Sequence, residues 1–150
     1  HGGTALGVAR GDHIKRLHPV EERWLVLVCP EITIENKTAR LYGMLTPESY
    51  TDGSITNDLV GLISRGGFRS EALFNVFQQL ALDIFPGLNK VKEDMNEAGA
   101  KLVHLSGSGP ALFSLVENPE EGQQIVCNLA RLGRNSHLLR TTGVSSILTL

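Results

Sequence analysis

Apolar and polar positions alternate along the chain in a way that marks short strands and helices of ordinary length. Thr4 to Val8 reads as a strand, Ala9-Arg10-Gly11-Asp12 as a turn, and His13 to Leu17 as the returning strand. A polar, proline-bearing connector follows, His18 to Arg23. Trp24 to Cys29 is a continuous apolar run stopped by Pro30, which suits a strand covered on both faces. A short helix is expected from Thr38 to Leu45, capped by Thr38 or Asn36, and Thr46-Pro47-Glu48-Ser49 is a turn or a new helix start. Tyr50 to Ser54 is read as an exposed loop. Asn57 to Ser64 suits a helix stopped by Arg65-Gly66-Gly67.

The strongest helical pattern runs from Ser70 to Phe85. Leu73, Phe77, Leu80 and Ile84 recur at helical spacing, Phe74 and Ala81 widen their face, and Ser70 can cap the start. Pro86-Gly87 breaks the chain. Leu88 to Ala98 is the next helix, with Leu88, Val91 and Met95 on one side and Gly99 closing it. An apolar run from Leu102 to Leu105 enters the loop Ser106-Gly107-Ser108-Gly109-Pro110, and a second run, Ala111 to Leu115, leaves it. Pro119 to Leu132 is an amphipathic helix and Leu138 to Thr142 a final strand. From Trp24 onward the order is strand, helices, strand, strand, helix, strand. That is an α+β, ferredoxin-like arrangement with extra helices in the first crossover.

Composition narrows the classes. At 150 residues the chain is one domain, or one and a piece. A net charge of −2 gives no reason to look for nucleic acid or an anionic membrane surface as partner. No apolar run is long enough for a transmembrane helix. No signal-peptide pattern is visible, so a cytoplasmic location is expected. Cys29 and Cys127 sit in apolar runs without metal-ligand spacing and are read as buried thiols, a disulfide being the alternative. The histidines His13, His18 and His137 have no partner spacing for a metal either.

The glycine loop carries the chemistry. Small residues let the backbone take positive φ and lie against another surface. Consecutive N–H groups in such a loop form a concavity that suits an anion, and the serine hydroxyls add donors. The same residues also suit a hairpin turn that needs glycine for geometry alone. The loop is not a Walker A motif, because no Gly-Lys-Ser/Thr follows, nor a dinucleotide fingerprint, because a strand leaves it where that fingerprint needs a helix.

Ser106 to Pro110, preceded by Gly99-Ala100 and followed by Ala111-Leu112-Phe113, resembles the third motif of the GHMP small-molecule kinases. Gly2-Gly3-Thr4-Ala5-Leu6 with Ala9-Arg10-Gly11-Asp12 resembles a segment of the branch acting on a cytidine-diphosphate-linked methylerythritol in non-mevalonate isoprenoid synthesis. The resemblance spans nearly the whole chain, in family order. It implies a kinase with ATP as donor, Mg²⁺ as counter-charge and a sugar-alcohol hydroxyl as acceptor.

By the same resemblance, residues 1–23 are the trailing hairpin of an N-terminal domain and residues 24–150 the C-terminal domain. The chain opens on His1 and enters a strand at once, so a cut chain lacking its N-terminal domain is expected. The family's phosphate loop, and a lysine and an aspartate that assist proton removal, lie in that earlier half. No catalytic residue is therefore assigned here, and the chain alone is expected to be inactive. The resemblance assigns Ser106, Gly107, Ser108, Gly109 and Pro110 to support of the nucleotide-phosphate loop. Gly2, Gly3, Thr4 and Arg10 fall near the domain junction, and Pro30, Thr38 and Tyr42 on the substrate side. Lys37 stands where serine is common. The family often has Asn-Asp-Leu-Glu where this chain reads Asn75-Val76-Phe77-Gln78, which removes any carboxylate role there.

Two alternatives remain: another GHMP member of homoserine or mevalonate type, and a non-catalytic ferredoxin-like ligand-binding module. Outside the motifs the polar residues read as structural. His104 is a packed histidine, Asp52 and Asp58 are loop and cap residues, and Arg65, Arg69 and Lys90 to Lys92 are solvated charges. Phe74, Phe77 and Phe85 are read as core.

Overall fold

The computed structural model describes residues 3–142. Its elements are strands β1 (Ala5–Val8), β2 (His13–Arg16) and β3 (Trp24–Val28), then helices α1 (Lys37–Gly43), α2 (Ser54–Ser64), α3 (Phe77–Ile84) and α4 (Leu88–Glu97). Strands β4 (His104–Leu105) and β5 (Leu112–Val116), helix α5 (Pro119–Arg131) and strand β6 (Ser136–Arg140) follow within the described residues. Short 3-10 turns lie at Pro47–Ser49 and Ser70–Ala72.

Strands β3 to β6 form one antiparallel sheet in the order β4-β5-β3-β6. With two helical crossovers this is the ferredoxin-like α+β layout that the element order implies. Strands β1 and β2 pair separately as a hairpin, from Ala5↔Arg16 to Val8↔His13. The hairpin is tied at its base, where the Leu17 N–H donates to the Thr4 carbonyl at 3.0 Å and the Val20 N–H to the Thr4 hydroxyl at 3.2 Å.

Alternation sorts the sheet into two faces. Val26, Val28, Leu112, Ser114 and Val116 point into the core and are buried. There they meet Phe85, Leu88, Val91, Met95, Ile125 and Leu129 from the helices. The second face carries Leu25, Leu27, Phe113 and Leu115, each half-buried. The apolar run at β3 is thus dry on one side only.

Helix α5 comes close to the sheet because Gly122 has no side chain. A Cβ there would meet Leu138 Cδ1 at 2.4 Å and Val116 Cγ2 at 3.2 Å. Gly122→Ala is expected to cost about 1–2 kcal/mol, since helix propensity gained only partly offsets overpacking. Urea denaturation of the two proteins measures it; an alanine protein as stable as the parent would show that Leu138 moves aside freely.

Several expectations need correction. The pattern from Ser70 to Phe85 is not one helix. It is a 3-10 turn, an extended stretch and then α3, which starts at Phe77. The break falls at Asn75, whose side chain is engaged elsewhere, as described below. Ser70 caps nothing, and Phe74 is 56 % exposed rather than core. Both cysteines are exposed free thiols: Cys29 directly follows β3 and Cys127 lies on the outer face of α5. Helix α1 begins at Lys37, and neither Asn36 nor Thr38 caps it with a side chain. Helix α2 starts a turn earlier than expected, after Gly53.

Lys90 is not merely solvated. Its ammonium reaches the carboxylate of the buried Asp94 at 2.9 Å, and Arg134 Nε donates to the same carboxylate at 2.7 Å. These two cations, Lys90 first, hold the Asp94 carboxyl below the ordinary carboxylate range against the opposing effect of burial.

Candidate functional site: the glycine loop and its supports

Strands β4 and β5 are joined by the loop Ser106–Pro110. Its base is closed by the Ser106 N–H donating to the Ala111 carbonyl at 2.9 Å, and inside it the Gly109 N–H donates to the Ser106 carbonyl at 2.9 Å. That is a tight turn with Gly107 at its first corner, at φ +56°, where side-chain-bearing residues are strained. Gly109 is also left-handed, at φ +71°, and it is buried. A Cβ on Gly109 would meet Leu105 Cδ1 at 2.8 Å and Phe85 Cε2 at 3.1 Å. Gly107 faces open space. One glycine therefore serves close packing and the other serves an exposed corner.

Two helix starts grip this loop. From α1, Lys37 Nζ donates to the Gly109 carbonyl. Thr38 Oγ1 and Ser108 Oγ share a hydrogen bond at 3.0 Å. Just before α3, Asn75 Nδ2 donates to the carbonyls of Leu105 at 3.0 Å and Gly107 at 2.8 Å, while its Oδ1 accepts from the Phe77 N–H at 3.0 Å. Gln78 Oε1 accepts from the Leu105 N–H at 3.0 Å. The Leu105 peptide groups are thus satisfied by side chains on the flank of β4 away from β5. Among the described residues, the amides of Gly107 and Ser108 donate to no carbonyl. Two unclaimed N–H groups, two serine hydroxyls and one ammonium are the donor set an anion needs.

Strand register places His104 opposite Phe113, with its ring 5.5 Å from that phenyl ring. Burial pushes its imidazole pKa down, and its buried Nε2 has no hydrogen-bond partner among the described residues. It packs against an aromatic neighbour as its sequence setting implies.

The other candidate residues divide into those near the loop and those apart from it. A cavity of about 720 Å³ opens on the second face of the sheet. Gly3, Thr4 and Ser106 line it together, beside Leu27, Ile63 and Phe113. The opening segment and the glycine loop therefore share one space. Gly2 lies outside the described residues. Tyr42 is exposed and packs edge-on against Phe77, ring centroids 4.9 Å apart, two residues from the capping Asn75. Thr38 sits on the loop itself. Pro30 lies on a different cavity, of about 540 Å³, with Lys90 and Arg134. Arg10 lies at the exposed hairpin tip, its amide donating to Asp12 Oδ1 at 3.2 Å.

Asn75 and Gln78 are site residues that the sequence pattern hides. An asparagine two positions before a helix start is a cap signal. It is masked by the apolar spacing of Leu73, Phe77 and Leu80, which continues through it.

A family model for the C-terminal region of GHMP kinases matches residues 59–135, which include α3, α4, the glycine loop and α5. The chain is a member of the GHMP kinase family. Among curated relatives of this GHMP chain, the 4-diphosphocytidyl-2-C-methyl-D-erythritol kinase of Dehalococcoides mccartyi is 36% identical over 143 residues. The match covers 95% of this chain and 50% of that enzyme. The enzyme of the same name from Bacillus licheniformis is 30% identical, over 95% of this chain and 49% of its own length. The chain thus spans about half the length of the curated relatives it matches. A crystal structure of a 4-(cytidine 5'-diphospho)-2C-methyl-D-erythritol kinase superposes with a TM-score of 0.70 at 24% identity. It covers 91% of this chain and 48% of its own. A homoserine kinase from Cytophaga hutchinsonii superposes at 0.59 with 19% identity, covering 95% of this chain and 49% of its own. Both structures share the fold.

No helix among the described residues is long and apolar enough to cross a membrane.

Proposed function

We propose that this GHMP chain supplies the C-terminal half of an ATP-dependent kinase that phosphorylates the hydroxyl of 4-diphosphocytidyl-2-C-methyl-D-erythritol. What carries the reading is the 36% identity to the Dehalococcoides enzyme of that name, continuous over 95% of the chain. Residues 3–23 then belong with an N-terminal domain, and residues from Trp24 onward form the second domain. In this reading the cavity lined by both Thr4 and Ser106 is where those two parts would meet.

Phosphoryl transfer is mostly positioning and neutralisation of charge on the transferring group. In this reading the loop turns the Gly107 and Ser108 amides towards the phosphates of ATP. Lys37 adds a positive charge at the loop's second corner, and Thr38 fixes the Ser108 hydroxyl. Among the described residues, the side chains that bond to the loop, Lys37, Thr38, Asn75 and Gln78, include no carboxylate. No group of three His, Cys, Asp or Glu side chains that could hold a metal occurs among the described residues. The loop and the side chains bonded to it thus supply no carboxylate with which to hold Mg²⁺. The two exposed free thiols suit a reducing compartment, which supports a cytoplasmic setting.

The test uses the protein encoded by the complete reading frame that carries these 150 residues. Supplied with ATP, it is expected to phosphorylate the cytidyl substrate and to leave homoserine and mevalonate untouched. The 150-residue chain by itself is expected to show no turnover above a blank. Preference for homoserine would move the assignment to the second structural neighbour, and turnover by the short chain would overturn its role as half a site.

A further inference from the structure

Asn75 makes three hydrogen bonds and ties three segments together. Its Oδ1 receives the Phe77 N–H, and its two Nδ2 protons go to the carbonyls of Leu105 and Gly107. That network fixes the orientation of the side-chain amide, since the reverse placement would set its oxygen against two carbonyl oxygens.

The consequence lies one bond further on. A trans peptide is planar, with its C=O and the following N–H pointing opposite ways. Holding the Leu105 carbonyl towards α3 sends the Ser106 N–H the other way, and it does meet the Ala111 carbonyl at 2.9 Å. Holding the Gly107 carbonyl towards α3 likewise turns the Ser108 N–H away from α3, where no carbonyl of the described residues receives it. The turn bond from the Gly109 N–H to the Ser106 carbonyl and the Thr38–Ser108 hydroxyl contact hold the two ends of this corner, and among the described residues Asn75 is the side chain that bonds the Gly107–Ser108 peptide itself, at a glycine that faces open space.

We propose that Asn75 is a positioning residue: by holding the Gly107 carbonyl it sets the plane of the Gly107–Ser108 peptide, and so aims the Ser108 N–H at a phosphate oxygen. Gln78 assists by holding the Leu105 N–H, which fixes where the loop leaves β4. The phosphate part rests on the kinase reading above; the aiming of the peptide does not.

The deciding measurement is the direction of the Ser108 N–H bond, read as its residual dipolar coupling in the 150-residue chain. Asn75→Asp keeps an oxygen for the Phe77 N–H and removes both donors to the loop. In that variant the Ser108 coupling is expected to average towards zero, and exchange of the Gly109 amide to speed up roughly tenfold or more. Couplings from β5 and α5 are expected to stay as they were. Gln78→Glu keeps an acceptor for the Leu105 N–H and is expected to leave the Ser108 coupling unchanged. A Ser108 coupling that survives Asn75→Asp overturns the proposal, as does a loss spread evenly over β5 and α5. Should the variant not fold, the unaltered protein supplies a second measurement. Its Asn75 side-chain amide protons are expected to exchange slowly, and free exchange would defeat the assignment. Kinetics on the complete reading frame separate the two readings. Asn75→Asp is expected to raise the KM for ATP severalfold with kcat little changed. No turnover by the unaltered protein counts against the kinase reading alone.

Discussion

Gly109→Ala is expected to destabilise the chain by about 3 kcal/mol, a left-handed backbone penalty added to overpacking. The added methyl would press on Leu105 Cδ1 and Phe85 Cε2, and Phe85 is a buried core ring with little room to move. Relief would require the loop to lift away from Phe85. That would pull on the Gly109 N–H bond to Ser106 and on the Lys37 contact at the Gly109 carbonyl. Gly107→Ala offers the contrast. It sits at positive φ with nothing within 4 Å of the new methyl, so it is expected to lose only about 1 kcal/mol. Urea denaturation of the three proteins gives both numbers. Equal losses for the two alanines would show that backbone conformation, not the Phe85 contact, governs the loop.

Asp94→Ala is the second large effect, about 2–3 kcal/mol. Asp94 is 3 % exposed, and removing one member of a buried charged cluster costs several kcal/mol. The figure is discounted because Lys90 is 60 % exposed and regains solvent when its partner is lost. The pH dependence has a definite sign. The folded carboxyl titrates below its unfolded value of about 3.9, so its contribution is complete above that pH. It disappears as pH falls through the folded value. The gap between the parent and Asp94→Asn is therefore expected to be flat at neutral pH and to close only in acid below about pH 4. A gap that narrows between about pH 5 and 8 would mean that another group, such as a histidine, is responsible.

What could be read from sequence depended on whether the deciding contact was local. The β1–β2 hairpin, α4 and α5 are marked by apolar periodicity ended by glycine or proline. The two strands flanking Ser106–Pro110 follow from the same signals, although β4 is only His104–Leu105 where the apolar run begins at Leu102. Helix α3 broke that rule because the residue interrupting it, Asn75, bonds to carbonyls thirty and more positions away. Local spacing carries no trace of such a partner. The cysteines failed for a related reason, since an apolar run fixes neither which face of β3 is covered nor how far cover extends. At the site, the glycines pointed to the loop through their own backbone needs. Its supports, Lys37, Asn75 and Gln78, act on backbone atoms of the loop, and no side-chain pattern records that.

The side-chain grip on Leu105 has a further consequence, for how the sheet behaves among other chains. A strand at the flank of a sheet offers a row of unpaired backbone groups to any passing segment, a common route to aggregation. Here Asn75 and Gln78 already occupy both polar groups of Leu105 on that flank, as a fifth strand would. An intruder would have to break both bonds before forming its own, so this flank is guarded against strand addition by two side chains.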